Sequence, residues 1–144
     1  MPPTARARRV AAFALTWLLI ATSSTAALAD GDPANGAKIF QQCSACHSSE
    51  DGVNMVGPSL HCVVGRPAGS IAGFDYSPAI QEAAQKNLAW TEANIIGYLQ
   101  DPHKFLGNFD QDPGARNKMP FNLVDPQQRQ DVVAYLKGQC TGGH

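Results

Sequence analysis

Five consecutive residues of this chain, Cys43-Ser44-Ala45-Cys46-His47, have the types and spacing for redox chemistry. Two thiols three positions apart share one face of a helix, and the neighbouring imidazole can ligate a metal. The C-x-x-C-H pattern is typical of covalent haem attachment, in which the thiols bond the two vinyl groups and the imidazole binds the iron. The spacing therefore predicts one haem c per chain, held by Cys43 and Cys46, with His47 as an axial ligand.

A C-x-x-C pair without the histidine would also suit two other kinds of site. A thioredoxin-like redox pair needs a βαβ setting, and this chain has no stretch of alternating apolar and polar residues that would form strands. Half of a zinc site needs a second pair of ligands at similarly close spacing, whereas Cys62 and Cys140 lie 78 residues apart. Both alternatives are therefore weaker than haem attachment.

An iron bound by one histidine takes its sixth ligand from a residue that can reach the opposite face of the porphyrin. Of the three methionines, Met1 belongs to an N-terminal leader and Met55 lies close to His47. Met119 is therefore the favoured ligand, and Asn117 can anchor its loop by hydrogen bonds. The alternative is ligation by a second histidine, for which the candidates are His61, His103 and His144.

The N-terminus has the pattern of an export signal. Three arginines among the first nine residues precede an apolar or small run over 10–21, and Ala27-Leu28-Ala29 form an A-x-A cleavage site. The run is shorter than the ~20 apolar residues of a membrane-spanning helix, and no basic stop-transfer cluster follows it. We therefore expect residues 1–29 to be a cleaved signal peptide and 30–144 to form one domain, in the periplasm and not inserted in the membrane.

Charge and size restrict the function of that domain. The 144-residue chain has a formal net charge of -1, but three of its 11 basic residues lie in the leader. Eight basic residues then face twelve acidic ones, a charge of -4, which argues against nucleic-acid binding because phosphates require a basic face. A few short helices with long loops would bury little apolar surface, so a bound group is expected to complete the core.

The elements that must position these residues are predicted to be three or four helices joined by long loops, without strands. Loops rich in glycine and proline are expected over residues 52–73 and 106–122. Capping residues and apolar stripes predict one helix from Asp32-Pro33 through Cys43, a short one over Pro78–Gln85, one from Thr91 to Asp101-Pro102, and one from Asp125 to Gly138.

Short motifs follow one another from Gly31 to Leu136 in an order that is typical of one protein family. In these motifs the chain resembles the class I cytochromes c, and within them the periplasmic bacterial c-two type, which is similar to mitochondrial cytochrome c with a longer loop. Besides CSACH, the motifs are Gly31-Asp32-Pro33 with Gly36 and Phe40, Gly57-Pro58-Ser59-Leu60, Val64-Gly65-Arg66, Gly73-Phe74-Asp75-Tyr76, Ala89-Trp90, Tyr98-Leu99-Gln100-Asp101-Pro102, Lys118-Met119 and Ala134-Tyr135-Leu136.

The resemblance implies an all-α class I cytochrome c fold wrapped around one haem, with the first and last helices packed across each other. It further implies that the Pro58 carbonyl accepts the imidazole N–H of His47, which fixes the tautomer and raises the basicity of the ligand. Tyr98 would lie near the Met119 sulfur. The residues implied to meet the haem propionates are Arg66, Tyr76 and Trp90.

The sequence departs from the family pattern in two respects. Cys62 stands where the family usually has glycine, and Cys140 follows the last helix. Since the family fold brings that helix end near the loop of Cys62, the resemblance implies a Cys62–Cys140 disulfide; a pair of buried free thiols is the alternative. The second departure is the small number of basic residues available to surround an exposed haem edge, namely Lys38, Lys104, Arg116 and Lys118.

An iron bound by His47 and Met119 has no open position for a substrate, so the sequence predicts a one-electron carrier and not an enzyme. The resemblance implies a quinol-cytochrome c oxidoreductase as donor, and a terminal oxidase or reaction centre as acceptor, with a monomeric carrier. A dedicated acceptor for one periplasmic dehydrogenase is equally compatible with the site. The competing class is a small haem peroxidase or gas-binding protein in which Met119 dissociates readily.

Overall fold

The structure is a computed structural model that describes Met1 and residues 30–140. Residues 2–29 of the predicted leader, with the cleavage site at Ala27–Ala29, and His144 lie outside the described residues. The described residues form no strand, and Pro67 and Ala89 pair in an isolated bridge. None of the described helices is long and apolar enough to span a membrane. The all-α prediction is confirmed, with five helices: α1 Pro33–Cys43, α2 Pro78–Gln85, α3 Glu92–Gln100, α4 Pro102–Asp110 and α5 Pro126–Gly138.

Each helix begins after a short polar side chain that accepts a backbone N–H from the first turn, which is the usual role of an N-cap. Proline stands at the first helical positions of four of the five, where its missing N–H has no intrahelical partner to lose. The starts predicted at Asp32, Thr91 and Asp125 are confirmed, and α5 ends at Gly138 as expected. The five N-caps are Asp32, Ser77, Thr91, Asp101 and Asp125.

The loop predicted over 106–122 is wrong in its first part, because α4 occupies Pro102–Asp110. Asp101 has extended backbone that ends α3, and its Oδ1 also accepts the N–H of Lys104 at 3.0 Å, so one residue terminates one helix and caps the next. Leu106 is fully buried and anchors α4 to the core. His103, one of the alternative ligands, consequently lies in a helix.

The expected crossing of the first and last helices is confirmed, and it is a close one. Gly36 of α1 is buried, and a Cβ there would overlap the carbonyl oxygen of Asp131 and the Cβ of Tyr135 in α5. The rings of Phe40 and Tyr135 pack beside this contact with centroids 5.1 Å apart. Because Gly36 has no side chain, the backbones of α1 and α5 can come into contact.

Replacement of Gly36 by alanine is expected to cost about 3 kcal/mol, the upper part of the usual range for overpacking, because the added methyl would meet backbone atoms. Gly138→Ala is the matched control, since a Cβ there meets open space. Urea denaturation of both variants measures the difference. An equal midpoint for the two would contradict the close crossing.

The buried carboxylate of Asp131 ties α5 to the start of α1. It accepts the backbone N–H of Asp32 at 2.9 Å and the side-chain amides of Asn35 at 2.5 Å and Gln127 at 3.0 Å. The Asp32 N–H, followed by the two amides, holds the pKa of Asp131 below its ordinary value, and burial opposes this shift. Deprotonated Asp131 therefore stabilises the folded chain.

Because this pKa is lower in the folded chain, its contribution is fully present above about pH 5 and is lost as the pH falls below about 4. We expect Asp131→Asn to lower the free energy of unfolding by about 1–3 kcal/mol at pH 7 and to flatten its decline in acid. Asp75→Asn, which removes an exposed ion pair with Lys118, is the control and should cost less than about 1 kcal/mol. Urea titrations at pH 3–7 provide the comparison; unchanged acid dependence in Asp131→Asn would refute this role.

Two apolar clusters flank the predicted haem-binding residues. The first is built mainly by α1, α3 and α5, and Met119 packs against it. The second joins α2 and α4 around Ala83 and Leu106. Trp90 packs against both clusters, and it therefore connects the two halves of the core.

Candidate haem-binding site

The two predicted attachment cysteines lie at the end of α1 and in the turn that follows it. The N–H groups of Cys46 and His47 both donate to the carbonyl of Cys43, at 3.0 and 2.9 Å. Cys43 is half-buried, which raises the pKa of its thiol, and Cys46 is exposed. Both thiols are free, so they are available to bond the vinyl groups of a haem.

The predicted contact between His47 and Pro58 is present. The Nδ1 atom of His47 lies 2.7 Å from the Pro58 carbonyl oxygen. Since a carbonyl can only accept, Nδ1 carries the proton and Nε2 keeps its lone pair for a metal. Burial lowers the pKa of His47 and the Pro58 hydrogen bond acts in the opposite direction. The imidazole is thus neutral and oriented, as an axial ligand requires.

Gly57 leaves the space that the imidazole occupies. A Cβ at this position would overlap Cε1, Nδ1 and Nε2 of the His47 ring. The Gly57 N–H also donates to the Cys46 carbonyl at 2.7 Å, so the loop is fixed directly on the attachment turn. The ring and the loop can pack together only because residue 57 has no side chain.

Alanine at position 57 is expected to displace either the His47 ring or the loop, at a cost of about 1–3 kcal/mol. The misplaced imidazole should reduce the yield of haem-loaded protein and alter its visible absorption spectrum. Val56→Ala is the control, because the Val56 side chain is exposed. If Gly57→Ala purifies with wild-type haem content, spectrum and stability, the steric role of Gly57 is wrong.

The segment that follows Pro58 is held on both sides. The Ser59 N–H donates to Oδ1 of Asn54 at 2.9 Å, and the Ser59 hydroxyl donates to the Glu50 carbonyl at 2.6 Å. From the other side, the Arg66 guanidinium donates to the carbonyls of Ser59 and His61 at 2.7 and 2.8 Å. Burial lowers the pKa of Arg66, and the charge of Tyr76 opposes this. Arg66 therefore holds the segment that follows Pro58. Its contact with a propionate stays a prediction.

Met119 lies on a loop that is anchored to the helices. Nδ2 of Asn117 donates to the Tyr98 hydroxyl at 2.6 Å and to the Met119 carbonyl at 3.4 Å, as expected of an anchoring residue. The Lys118 ammonium donates to the Asp75 carboxylate at 2.6 Å. The Met119 side chain is half-buried against the first apolar cluster, which α1, α3 and α5 build. The thioether is therefore held within the core at the end of a fixed loop.

Trp90 and Tyr98, two of the three aromatic residues assigned to the haem surroundings, contact each other. The ring centroids of Trp90 and Tyr98 are 4.9 Å apart, and Phe105 packs on both. Burial raises the pKa of Tyr98 to about 12, against the opposing hydrogen bond from Asn117. The Tyr76 hydroxyl accepts the N–H of Ile71 at 3.3 Å. Propionate contacts for Tyr76 and Trp90 stay predictions.

The alternative ligands are less well placed. His61 lies in the segment bonded to the His47 loop, with Nδ1 3.3 Å from the Ser49 carbonyl, and His103 is exposed on α4. In the described part of the chain, no three histidine, cysteine or acidic side chains come together as a metal site. Cys62 and Cys140 are bonded to each other and therefore cannot complete a zinc site with Cys43 and Cys46.

The Cys62–Cys140 disulfide joins the His47-supporting segment to the end of α5. The sulfurs are 2.08 Å apart and the Cα atoms 4.6 Å apart. Cys62 has φ +48°, in the left-handed region that favours glycine. The bond thus holds a non-glycine residue in a glycine conformation.

Two supporting residues were missed by the sequence analysis. Asn54 holds Ser59, and the buried Arg129 donates to the carbonyls of Leu123 and Val124 at 2.7 Å each, which fixes the chain beyond the Met119 loop. An arginine at a core-facing position of α5 was a signal for the second. No sequence signal distinguished Asn54 from an ordinary loop residue.

These donors fit a covalently bound haem. Two free thiols follow one helix, a neutral imidazole has an unprotonated Nε2, and a thioether is held by an anchored loop. The residues present would allow attachment through Cys43 and Cys46 without any rearrangement of cysteine pairing, and they include candidates for both axial ligands.

Comparisons with known proteins point the same way. The family model for cytochrome c matches residues 33–139. The chain is 48% identical over 115 residues to cytochrome c2 iso-2 of Rhodospirillum centenum, a match covering 75% of this chain and 95% of that protein. It is 49% identical over 112 residues to a cytochrome c2 of Rhodopseudomonas palustris, covering 73% of this chain and 96% of the relative.

Solved structures show the same similarity. The cytochrome c2 structure from Rhodospirillum centenum superposes with a TM-score of 0.72 at 44% identity, covering 76% of this chain and 99% of that one. The ferricytochrome c2 structure from Rhodopseudomonas palustris gives a TM-score of 0.70 at 44% identity, covering 75% and 98% respectively.

Proposed function

This chain belongs to the cytochrome c family, and we propose that its iron is bound by His47 and Met119 and that it carries single electrons in the periplasm. Like other members, it is an electron-transfer protein rather than an enzyme, and it carries one haem c at Cys43 and Cys46. The observation that supports His/Met ligation most directly is the Asn117 amide, which links the Met119 backbone to the Tyr98 hydroxyl.

The residues around the site are suited to keeping both ligands in place. When bound, the haem supplies a reversible change between Fe(III) and Fe(II). Pro58 fixes the His47 ring and increases its basicity, and the neutral thioether of Met119 favours the reduced state. Because the pKa of Tyr98 is about 12, its hydroxyl stays protonated at neutral pH and adds no charge beside the Met119 loop. Ligands fixed in this way keep the structural change on electron transfer small.

The remaining expectations belong to the same proposal. Residues 1–29 direct export and are removed, and 30–144 form the periplasmic carrier, which works as a monomer. A quinol-cytochrome c oxidoreductase or a periplasmic dehydrogenase supplies electrons, and a terminal oxidase or a reaction centre accepts them. Such partners would bind weakly through a small surface, as redox encounters do. Electron-transfer titrations of the purified protein with each candidate, beside a heat-denatured sample, identify which ones react.

Absorption spectroscopy of the haem-loaded protein tests the proposed ligation. We expect the ferric protein to show the far-red band of an iron–methionine sulfur bond, and a potentiometric titration to fit a one-electron couple. The reduced protein should not bind carbon monoxide at neutral pH. Loss of the band together with ready carbon monoxide binding would favour a gas-binding or peroxidase function with a labile Met119.

A further inference from the structure

Three exposed apolar side chains crowd one short loop beside the attachment turn. In this edge loop, residues 50–56, Val53 is 41%, Met55 47% and Val56 82% exposed. Single exposed apolar side chains are ordinary on a protein surface, but a contiguous group of them marks an interaction site. Among residues 30–140, the other large hydrophobic exposed to this degree is Val124, at 75%.

The edge loop is held in place by hydrogen bonds at its base. The Met55 N–H donates to the Gly57 carbonyl at 2.9 Å, and the Gly57 N–H donates to the Cys46 carbonyl at 2.7 Å. Asn54 accepts the Ser59 N–H at 2.9 Å, and the Glu50 carbonyl accepts the Ser59 hydroxyl at 2.6 Å. Because the backbone is fixed, the outward position of the apolar side chains is a property of the folded protein.

The loop lies against the attachment turn. Cys46 is exposed, and in the haem-loaded protein it would carry one of the two covalent links to the haem. Gly57 contacts its carbonyl directly, and Met55 is two residues away, at most about 7.6 Å along the backbone. A partner that covers Met55 and Val56 would therefore be close to the exposed attachment cysteine.

The charges of the edge loop are acidic. Glu50 and Asp51 are exposed, and within residues 30–140 neither carboxylate has a hydrogen bond or an ion pair. On the Met119 side, Lys118 is already paired with Asp75. A partner surface facing the edge loop must therefore match apolar side chains and unpaired negative charge.

We propose that the edge loop is the docking surface for a redox protein whose facing surface is apolar at its centre and carries basic groups at its rim. The inference rests on the proposed electron-carrier function and adds the chemistry of the partner. Apolar centres with polar rims are the usual anatomy of protein interfaces, and opposite charges at the rim accelerate encounter. Val53, Met55 and Val56 supply the centre, and Glu50 and Asp51 supply the charges.

Protein-film voltammetry on gold electrodes of defined surface chemistry tests this without the natural partner. One electrode has a mixed monolayer of methyl- and amine-terminated alkanethiols, and the other has a carboxylate-terminated monolayer of the same thickness. We expect the haem-loaded wild type to exchange electrons at least about tenfold faster on the methyl/amine surface, as electrostatic steering commonly produces. Equal rates, or faster exchange on the carboxylate surface, would overturn the proposal.

Two variants test whether the edge loop causes the preference for the methyl/amine surface. Met55→Lys/Val56→Lys should abolish the preference for the methyl/amine surface, whereas Val124→Lys, which adds charge at another exposed valine, should keep it. If both variants or neither lose the preference, the edge loop is not the docking surface. A solution titration of each variant with soluble mediators reports the one-electron couple separately. Failure of that couple in the wild type would reject the proposed function, whereas an intact couple without surface preference rejects only the docking surface.

Discussion

Replacement of Met119 by leucine is expected to abolish the far-red band of the ferric protein and to allow carbon monoxide to bind the reduced protein. Leucine has nearly the volume of methionine but no donor atom, so the half-buried position stays filled while the thioether ligand is lost. The anchoring bonds of Asn117 involve a side chain and a backbone carbonyl that the substitution leaves in place.

The reduction potential should fall in the same variant, because a soft thioether favours Fe(II). Axial ligands set haem potentials over a range of about 0.8 V, and we expect a decrease on the order of 0.1 V or more. Met55→Leu is the matched control, since it removes a methionine that is 47% exposed and lies outside the core. Spectra and redox titrations of both variants make the comparison.

A different outcome would identify a different ligand. If Met119→Leu keeps the band while Met55→Leu loses it, Met55 is the axial residue. If the wild type lacks the band, and both variants share its spectrum and exclude carbon monoxide, a histidine such as His61 occupies the sixth position. Either result would contradict ligation by Met119.

Removal of the Cys62–Cys140 bond is expected to produce the largest loss of stability. The bond closes a loop with a sequence separation of 78, for which the chain-entropy estimate is roughly 4–5 kcal/mol. In a domain of this size, that corresponds to a fall in Tm of about 15–20 °C. Cys62→Ser/Cys140→Ser should show this change when thermal and urea denaturation are compared with the wild type.

A second variant separates the bond from the backbone strain at residue 62. Cys62 has φ +48°, and glycine adopts this conformation without the cost of about 1–2 kcal/mol that other residues incur. Cys62→Gly/Cys140→Ser should therefore be about 1 kcal/mol more stable than the double-serine variant. Identical denaturation curves for the wild type and the double-serine variant, or uptake of two alkylating labels by denatured, non-reduced, haem-loaded wild type, would contradict the stabilising bond.

Local signals in the sequence predicted much of the helical framework. Asp32, Thr91 and Asp125 marked helix starts correctly because a cap depends on hydrogen bonds within one turn. The sequence analysis missed α4 because Asp101 both ends α3 and caps α4. Asp101 was interpreted only as the end of a helix, so the helix that begins after it was not predicted. Burial of Leu106 anchors α4, and this tertiary contact is not visible in the local sequence.

For the site as well, the sequence revealed the residues of a contiguous motif but not the residues whose role depends on the folded structure. C-x-x-C-H is a contiguous pattern whose spacing already states its chemistry, so Cys43, Cys46 and His47 could be identified directly. Arg129 donates to the carbonyls of Leu123 and Val124, and Asn54 accepts the backbone N–H of Ser59. The backbone groups in these contacts belong to every residue type, so they leave no mark on the sequence. The clearance at Gly57 likewise becomes visible only when the His47 ring is in place.

The cysteine arrangement implies an order for two steps in the maturation of this protein, haem attachment and disulfide formation. Four cysteines allow three complete pairings, yet the folded chain joins Cys62 to Cys140 and leaves Cys43 and Cys46 as thiols. In an unfolded chain, neighbours three positions apart meet more often than partners separated by 78, so oxidation alone favours the pair that must stay reduced. Haem must therefore reach Cys43 and Cys46 while they are thiols. Once it has, only one pair remains to oxidise, so oxidation in the proposed periplasmic location would yield a single disulfide.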